Sequence, residues 1–103
     1  MLVEIRRYEI KPGRRDEFVT WFEAEAMPAM QSAGLNILGV FVDVENPDVF
    51  FYLKGFETDG ERERLNSAFY QSELWISALK DRALEMETGY EVALVRSTAG
   101  SPV

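Results

Sequence analysis

The fold is decided by the stretch Val3-Glu4-Ile5-Arg6-Arg7-Tyr8-Glu9-Ile10-Lys11-Pro12-Gly13-Arg14-Arg15-Asp16-Glu17-Phe18. It predicts a strand that passes through a Pro-Gly turn into a helix, because Pro lacks the N–H that a sheet needs and Gly permits the turn. Side chains alternate between the two faces of a strand. Val3 and Ile5 therefore share an apolar face, which we expect to be the core face. The opposite face carries Glu4, Arg6 and Tyr8.

The composition limits the class of protein. The chain has 103 residues, of which 47% are hydrophobic and 28% charged, as expected for one globular domain with a single core. Its net charge of -7 would repel phosphate groups, so we expect neither nucleic acid nor an anionic membrane as a partner. No apolar run approaches the roughly 18 residues of a membrane span, and we expect a cytoplasmic location.

Two residue types are missing, and their absence excludes several kinds of site. The chain has no Cys and no His. It can therefore form no disulfide, thiolate zinc site, cysteine nucleophile or Ser-His triad, and it lacks the usual ligands of zinc, non-haem iron and haem. The spacing of its carboxylates does not indicate a metal site either. The sequence predicts neither a metal nor a cofactor.

The first half of the chain continues with one helical and two strand patterns. Apolar residues at three- and four-residue steps predict a helix over residues 14–33, which Pro28 should kink or split. Runs rich in β-branched and aromatic residues predict strands over 35–45 and 49–56. Asn46-Pro47-Asp48 is typical of a turn, so these two strands should form a hairpin.

The second half repeats the pattern of helix and strand. Thr58 and Glu61 have the spacing of a capping box and predict a helix start; we expect the charged residues 61–64 to lie on its solvated face. Ser72 should cap a second helical piece, and residues 90–96 should form the fourth strand. The apolar residues expected to face the core from these helices are Leu65, Ala68, Phe69, Trp75, Ile76, Leu79 and Ala83.

The order of elements predicts the architecture. A βαββαβ chain is a ferredoxin-like α+β fold, in which right-handed crossovers place both helices on one face of a four-stranded antiparallel sheet. The second and third strands are apolar on both faces, although a sheet half in water should alternate. The bare face would expose about 300–400 Å² of apolar surface. We therefore predict a two-fold homodimer with its sheets face to face.

The dimer gives Glu4, Arg6 and Tyr8 a possible role. If Val3 and Ile5 pack on the helices, these polar groups lie between the two sheets, where they need a partner or a ligand. They then either line a small-molecule cavity or form a buried structural ion pair. In a cavity, Arg6 would hold an anionic oxygen, Tyr8 would donate a hydrogen bond and Glu4 would act as acid or base. Tyr52 and Trp75 are further candidates for ligand binding.

An ordered set of short motifs spans nearly the whole chain. These are Glu4-Ile5-Arg6-x-Tyr8, Lys11-Pro12-Gly13, Phe18, Leu38-Gly39-Val40-Phe41, Phe56-Glu57-Thr58, Glu61-Arg62-Glu63-Arg64, Tyr70 and Trp75. The set resembles the NIPSNAP family. The resemblance implies a dimeric α+β barrel, in which two ferredoxin-like protomers join their sheets around a cavity. It covers a domain of residues 1–98, followed by a flexible tail of residues 99–103.

The sequence departs from the family pattern at two places. The turn at residues 45–48 is shorter than usual, and Lys54 replaces an aromatic residue that the family often carries. Two functions remain open. The first is a dimer that binds a small organic molecule, with the cofactor-independent monooxygenases and isomerases of the superfamily as the implied activities. The second is a non-catalytic interaction domain in which Glu4 and Arg6 fix the register of the dimer.

Overall fold

The computed structural model describes all residues, 1–103, and its centre is one antiparallel sheet. The four strands are β1 (Leu2–Ile10), β2 (Asn36–Val42), β3 (Val49–Phe56) and β4 (Glu87–Arg96). Their order across the sheet is β2-β3-β1-β4, and all neighbours are antiparallel. With helices between β1 and β2 and between β3 and β4, the chain has the predicted ferredoxin-like α+β fold.

The first helical region contains a π-helical turn and is not broken at Pro28. It runs through α1 (Arg15–Trp21), a π turn (Phe22–Ala26) and α2 (Met27–Ser32). The Met27 N–H donates to the Phe22 carbonyl, five residues back, so the wide turn ends just before the proline, which has no N–H to donate. Pro28 therefore follows a widened turn, where the sequence suggested a kink or a split.

The second helical region has the same design. It runs through α3 (Asp59–Tyr70), a π turn (Trp75–Leu79) and α4 (Lys80–Met86). Thr58 Oγ1 accepts from the Glu61 N–H at 3.1 Å, and the Glu61 carboxylate accepts from the Glu57 N–H at 2.7 Å. Ser72 Oγ accepts from the Trp75 N–H at 3.2 Å. Both predicted helix starts are confirmed.

The helices cover the face of the sheet opposite to the one expected. Paired residues of antiparallel strands point to the same side, and the register pairs Glu4 with Lys54, Arg6 with Tyr52 and Tyr8 with Phe50. All six are buried. This helix face of the sheet carries the polar row of β1, and Val3 and Ile5 lie on the other face. The expectation that Glu4, Arg6 and Tyr8 lie between two sheets is therefore wrong for this chain.

The physical reason for the reversal is that the helices supply polar partners as well as apolar surface. Arg62 and Asn66 of α3 reach Glu4, while Phe50, Tyr52 and Phe56 of β3 provide the large apolar surface on which the helices pack. Arg62 was expected on a solvated face with its neighbours, and that expectation is also wrong. Among the predicted core residues, Ala68 and Ile76 are exposed.

Two strand boundaries also differ from the sequence prediction. β2 ends at Val42, because Asp43 Oδ1 accepts from the Glu45 and Asn46 N–H groups and starts the turn early. β4 begins at Glu87 instead of Tyr90, directly after α4. Thr88 and Gly89 were expected to lie before this strand and belong to it. β3 has the predicted bounds.

The other face of the sheet, which we call the open face, is largely apolar. Its central side chains Ile5, Phe51 and Leu53 are only partly buried, and Phe41 and Val95 are 52% and 40% exposed. No helix lies against it. None of the helices is long and apolar enough to cross a membrane.

Candidate functional site

A closed circuit of hydrogen bonds lies between the helix face of the sheet and α3. We call it the polar ring, and its seven side chains are Glu4, Arg6, Tyr8, Tyr52, Tyr70, Lys54 and Asn66. β1 supplies Glu4, Arg6 and Tyr8. β3 supplies Tyr52 and Lys54, and α3 supplies Tyr70 and Asn66. Every buried side-chain nitrogen and oxygen of the protein has a hydrogen-bond partner. The ring thus answers the requirement that buried polar groups be satisfied.

Glu4 anchors the ring and is 0% exposed. Its Oε1 accepts from Arg6 Nε at 2.7 Å, and its Oε2 accepts from Arg62 Nε at 2.7 Å and from Asn66 Nδ2 at 2.8 Å. Burial alone would raise the pKa of Glu4, but Arg6, Lys54 and Arg62 together outweigh burial and hold this pKa below its ordinary value. Glu4 is therefore a fixed anion, enclosed by donors, and does not fit the acid or base role expected from the sequence.

Arg6 is held in place by its neighbours and keeps donors to spare. Besides the Glu4 bond, its Nη1 donates to Tyr8 Oη at 3.1 Å. A guanidinium has five N–H groups, and Nη2 of Arg6 makes no hydrogen bond within the protein. Since no fully buried nitrogen lacks a partner, Nη2 is open to the adjoining pocket. The guanidinium carbon lies 5.7–6.0 Å from the ring centres of Tyr52, Tyr70 and Tyr90, within the range of cation–π attraction.

Three phenols continue the ring. The hydroxyl oxygens of Tyr8 and Tyr52 are 3.5 Å apart, and those of Tyr52 and Tyr70 are also 3.5 Å apart. Burial raises the pKa of Tyr8, raises that of Tyr52 strongly, and raises that of Tyr70 to about 12. All three are neutral hydrogen-bond donors at neutral pH, placed beside a fixed guanidinium.

Lys54 closes the ring between Tyr70 and Asn66. Its Nζ donates to Tyr70 Oη at 2.8 Å and to Asn66 Oδ1 at 3.1 Å, and it is 0% exposed. Burial, followed by repulsion from Arg6, lowers the pKa of Lys54 to about 7, although Glu4 opposes this shift. This position of β3 therefore carries a buried amine that is easily deprotonated.

Beside the polar ring lies a pocket of about 380 Å³, at the lower end of the range of about 300–1,000 Å³ typical of small-molecule sites. Arg6, Tyr8, Tyr52 and Tyr70 form its polar wall. Its other walls are mainly apolar and aromatic, from Phe18, Trp21, Phe22, Ala26, Met30, Trp75, Ala83 and Leu84. Lys80, Leu84 and Tyr90 are exposed lining residues and mark the mouth.

The two π turns both contribute to this pocket. Phe22 and Ala26 come from the first turn. Trp75 begins the second turn, and Lys80 directly follows its last residue. A π turn widens a helix and is frequent at functional sites. Here the two wide turns place aromatic side chains from both helical regions around one space, with the Phe22 and Tyr52 ring centres 4.7 Å apart and those of Tyr70 and Trp75 5.2 Å apart.

One carboxyl group in the pocket stands apart from the polar ring. Glu87 is the first residue of β4 and lines the pocket with a half-buried side chain. Burial raises its pKa to about 7, although the Arg6 charge opposes this shift. No sequence pattern pointed to Glu87, because it lies at a junction of helix and strand among other acidic residues.

The sequence and the structure agree on most of the candidate residues but place them differently. Arg6, Tyr8, Tyr52 and Trp75 all line the pocket, and Glu4 lies behind Arg6. The pocket lies within the single chain, between sheet and helices, whereas a cavity between two sheets was expected. The residues that the sequence reasoning missed are Lys54, Arg62, Asn66 and Glu87. No cluster of carboxylates in the structure could hold a metal ion.

The fold and the site together define the class of protein, which is a ferredoxin-like α+β protein with an internal polar ring and an aromatic pocket. The sequence model of the NIPSNAP family matches residues 3–102. The chain therefore belongs to the NIPSNAP family, as its motifs suggested. Among curated proteins, none matches it by sequence.

Several solved structures of other proteins share the fold. An uncharacterised NIPSNAP domain protein from Burkholderia xenovorans has a TM-score of 0.90 at 18% identity, with 100% of both chains covered. Protein Atu4242 from Agrobacterium tumefaciens has a TM-score of 0.91 at 19% identity, over 100% of this chain and 99% of that one. A more distant likeness is an antibiotic biosynthesis monooxygenase, with a TM-score of 0.70 at 19% identity over 95% and 99%.

Proposed function

We propose that this protein binds a small organic anion with an aromatic or aliphatic body, and that it does so in the pocket of each protomer of a homodimer. The observation that carries the proposal is the fixed Arg6 guanidinium, whose Nη2 is open to a largely aromatic pocket. A carboxylate or enolate oxygen would fit Arg6 and the neutral phenols, and its carbon skeleton would fit the apolar walls.

The charge of the surroundings favours an anion. Glu4 is the one carboxylate of the polar ring, and it is matched against Arg6, Arg62 and the partly protonated Lys54. The charged groups in and beside the polar ring are therefore more positive than negative, although the whole chain has a net charge of -7 and the pocket also contains Glu87, whose pKa is about 7. Lys80 at the mouth adds a further positive charge. Such a local field raises the rate at which anions enter.

Binding can be tested with pairs of probes that differ only in charge. We expect phenylacetate, phenylpyruvate and hexanoate to bind in isothermal titration calorimetry, and phenylacetamide to bind more weakly. Arg6→Met should weaken phenylacetate binding by about 10- to 100-fold, because a hydrogen bond to a charged group contributes about 1.5–3 kcal/mol.

Arg64→Met is the matched control for Arg6→Met. Arg64 is an exposed residue of α3 and does not line the pocket. Its substitution should leave binding unchanged, and circular dichroism should show both variants folded. Equal binding of phenylacetate and phenylacetamide by the wild-type protein, or no binding of any probe, would contradict the proposal and favour the non-catalytic interaction domain.

The homodimer is the second part of the proposal, and the open face supports it. With Phe41 and Val95 exposed, the open face is a continuous apolar patch. Such a patch differs from the single apolar residues that are normal on a monomer surface. A second copy covers it by two-fold symmetry. In analytical ultracentrifugation at micromolar concentration we expect a dimer, which Phe41→Asp should convert to monomer.

Ile76→Asp is the control for the dimer test, because Ile76 is equally exposed, at 54%, on the helical side of the molecule. This variant should stay dimeric. A wild-type protein that sediments as a monomer would show that the open face has no such partner.

The cytoplasmic location and the flexible tail of residues 99–103 stay predictions.

A further inference from the structure

The pocket contains one carboxyl group that the polar ring does not use. Glu87 follows Met86, the buried last residue of α4, and begins β4. This position fixes its backbone between the end of a helix and a sheet that pairs it with Ile10. The Glu87 side chain is thus carried by a rigid junction and lines the same space as Arg6.

Glu87 has no hydrogen-bonding partner within the protein. Burial raises the pKa of its carboxyl group, and the charge of Arg6 opposes this shift. Because every fully buried side-chain oxygen in the protein has a partner, the Glu87 oxygens are open to the pocket. The contrast with Glu4 is sharp, since three donors occupy the Glu4 oxygens. Of the two carboxylates, Glu87 alone can reach a bound molecule.

The charged and titratable groups that share the pocket with Glu87 are hydrogen-bond donors, so Glu87 is the group there that can accept a proton. The charged ones are Arg6 and Lys80, and the titratable neutral ones are Tyr8, Tyr52, Tyr70 and Tyr90. Arg6 and the phenols are donors suited to a negative oxygen. The pocket therefore combines one proton acceptor with several donors on its polar wall.

We infer that Glu87 is the proton-transfer group of this pocket, and that the anion bound there contains a carbonyl group with an acidic C–H bond beside it. The inference rests on the proposed function and names its substrate class, the carbonyl acids. It assigns the pocket an isomerase or tautomerase reaction, which requires no oxidant.

The reaction balances without a further reactant. The Glu87 carboxylate takes the proton from the carbon beside the carbonyl, and the C–H electron pair forms the C=C bond of an enolate as the carbonyl electrons move to oxygen. Arg6 and a phenol donate hydrogen bonds to that oxygen. The proton then returns from Glu87 to the oxygen, or to a conjugated carbon, and the carboxylate is restored.

The pKa of Glu87 suits this role. A proton-transfer group works best when its pKa lies near the working pH, and burial raises the pKa of Glu87 to about 7. In its anionic form it is a stronger base than an ordinary carboxylate. The rate of proton removal should therefore rise with pH up to about 7 and then level off, because only the ionised carboxyl group accepts a proton.

Phenylpyruvate is a suitable probe, because it carries a carboxylate, an aromatic ring and an acidic CH₂ beside a ketone. We expect the wild-type protein to accelerate its enol–keto interconversion, followed by ultraviolet absorbance, and the exchange of its CH₂ hydrogens in D₂O, followed by NMR. Glu87→Gln should slow both processes by about 100-fold or more while phenylpyruvate binding, measured by calorimetry, persists.

Glu85→Gln is the matched control, since Glu85 lies two residues before Glu87 on α4, is exposed and does not line the pocket. It should exchange at the wild-type rate. Glu87→Asp, which withdraws the carboxylate by one methylene, should keep part of the rate and the rise with pH. Binding without exchange, or exchange that survives Glu87→Gln, would overturn the inference alone; absence of binding would overturn it together with the proposed function.

Discussion

At the residue scale, Glu4 explains why a charged row can lie in a core. A buried carboxylate is costly unless it is paired and hydrogen-bonded, and Glu4 has two guanidinium groups and an amide within 2.8 Å. Arg6 also donates to Tyr8, and Asn66 accepts from Lys54. Arg62 is held by its position on α3. The polar ring is therefore stable as a unit, and its members depend on one another.

Removing the Glu4 charge should be strongly destabilising. Glu4→Gln leaves Arg6 without its counter-charge, and we expect a loss of about 3–5 kcal/mol in the free energy of unfolding at pH 7, as for other broken buried pairs. Urea denaturation measures it. Glu9→Gln removes an exposed carboxylate of the same strand and should change stability by at most about 0.5 kcal/mol.

The effect of Glu4→Gln should also depend on pH. The pKa of Glu4 is lower in the folded state than in the unfolded chain, so its stabilising effect is complete above about pH 4.3, the unfolded value, and is lost as the pH falls through the folded value. The difference between wild type and Glu4→Gln should shrink in acid. A difference that stays constant down to pH 2 would contradict this account.

The sequence identified the residues of this site better than their positions. Alternation placed Glu4, Arg6 and Tyr8 on one face of β1 correctly, but alternation is symmetric and does not say which face meets the helices. The charges of residues 61–64 are typical of a solvated helix surface, which concealed the inward turn of Arg62. Glu87 had no pattern at all, because its environment is created by distant residues.

At the element scale, helix ends and π turns shape the pocket. Local chemistry predicted the ends well: Thr58 and Ser72 cap their helices as their spacing indicated. The π turns were not predicted, since a turn of five residues leaves little trace in the apolar periodicity. The proline at position 28 gave the only hint of an irregularity in the first helical region.

The cap at Ser72 can be tested with a substitution that has a natural control in the same helical segment. Ser72→Ala removes the acceptor of the Trp75 N–H, and we expect a loss of about 0.5–2 kcal/mol in thermal or urea denaturation. Ser77→Ala removes an exposed hydroxyl that bonds the Glu73 carbonyl within the helix and should be neutral or slightly stabilising. Equal losses for the two variants would show that Ser72 has no capping role.

At the scale of the whole molecule, the sheet has two different uses for its two faces. The helix face combines the polar ring with the aromatic core, and the open face presents apolar side chains such as Phe41 and Val95. Element order alone predicted the ferredoxin-like fold and the bare face. It did not predict that the pocket would lie on the covered face, within the single chain.

The central claim is that Arg6 receives the anionic end of a small organic molecule in the pocket. The most direct measurement is a crystal structure of the protein with phenylacetate. We predict the carboxylate within hydrogen-bonding distance of Arg6 and the phenyl ring against the aromatic wall formed by Phe22 and Trp75. Phenylacetate bound elsewhere, or with its carboxylate turned away from Arg6 toward the mouth, would contradict the account.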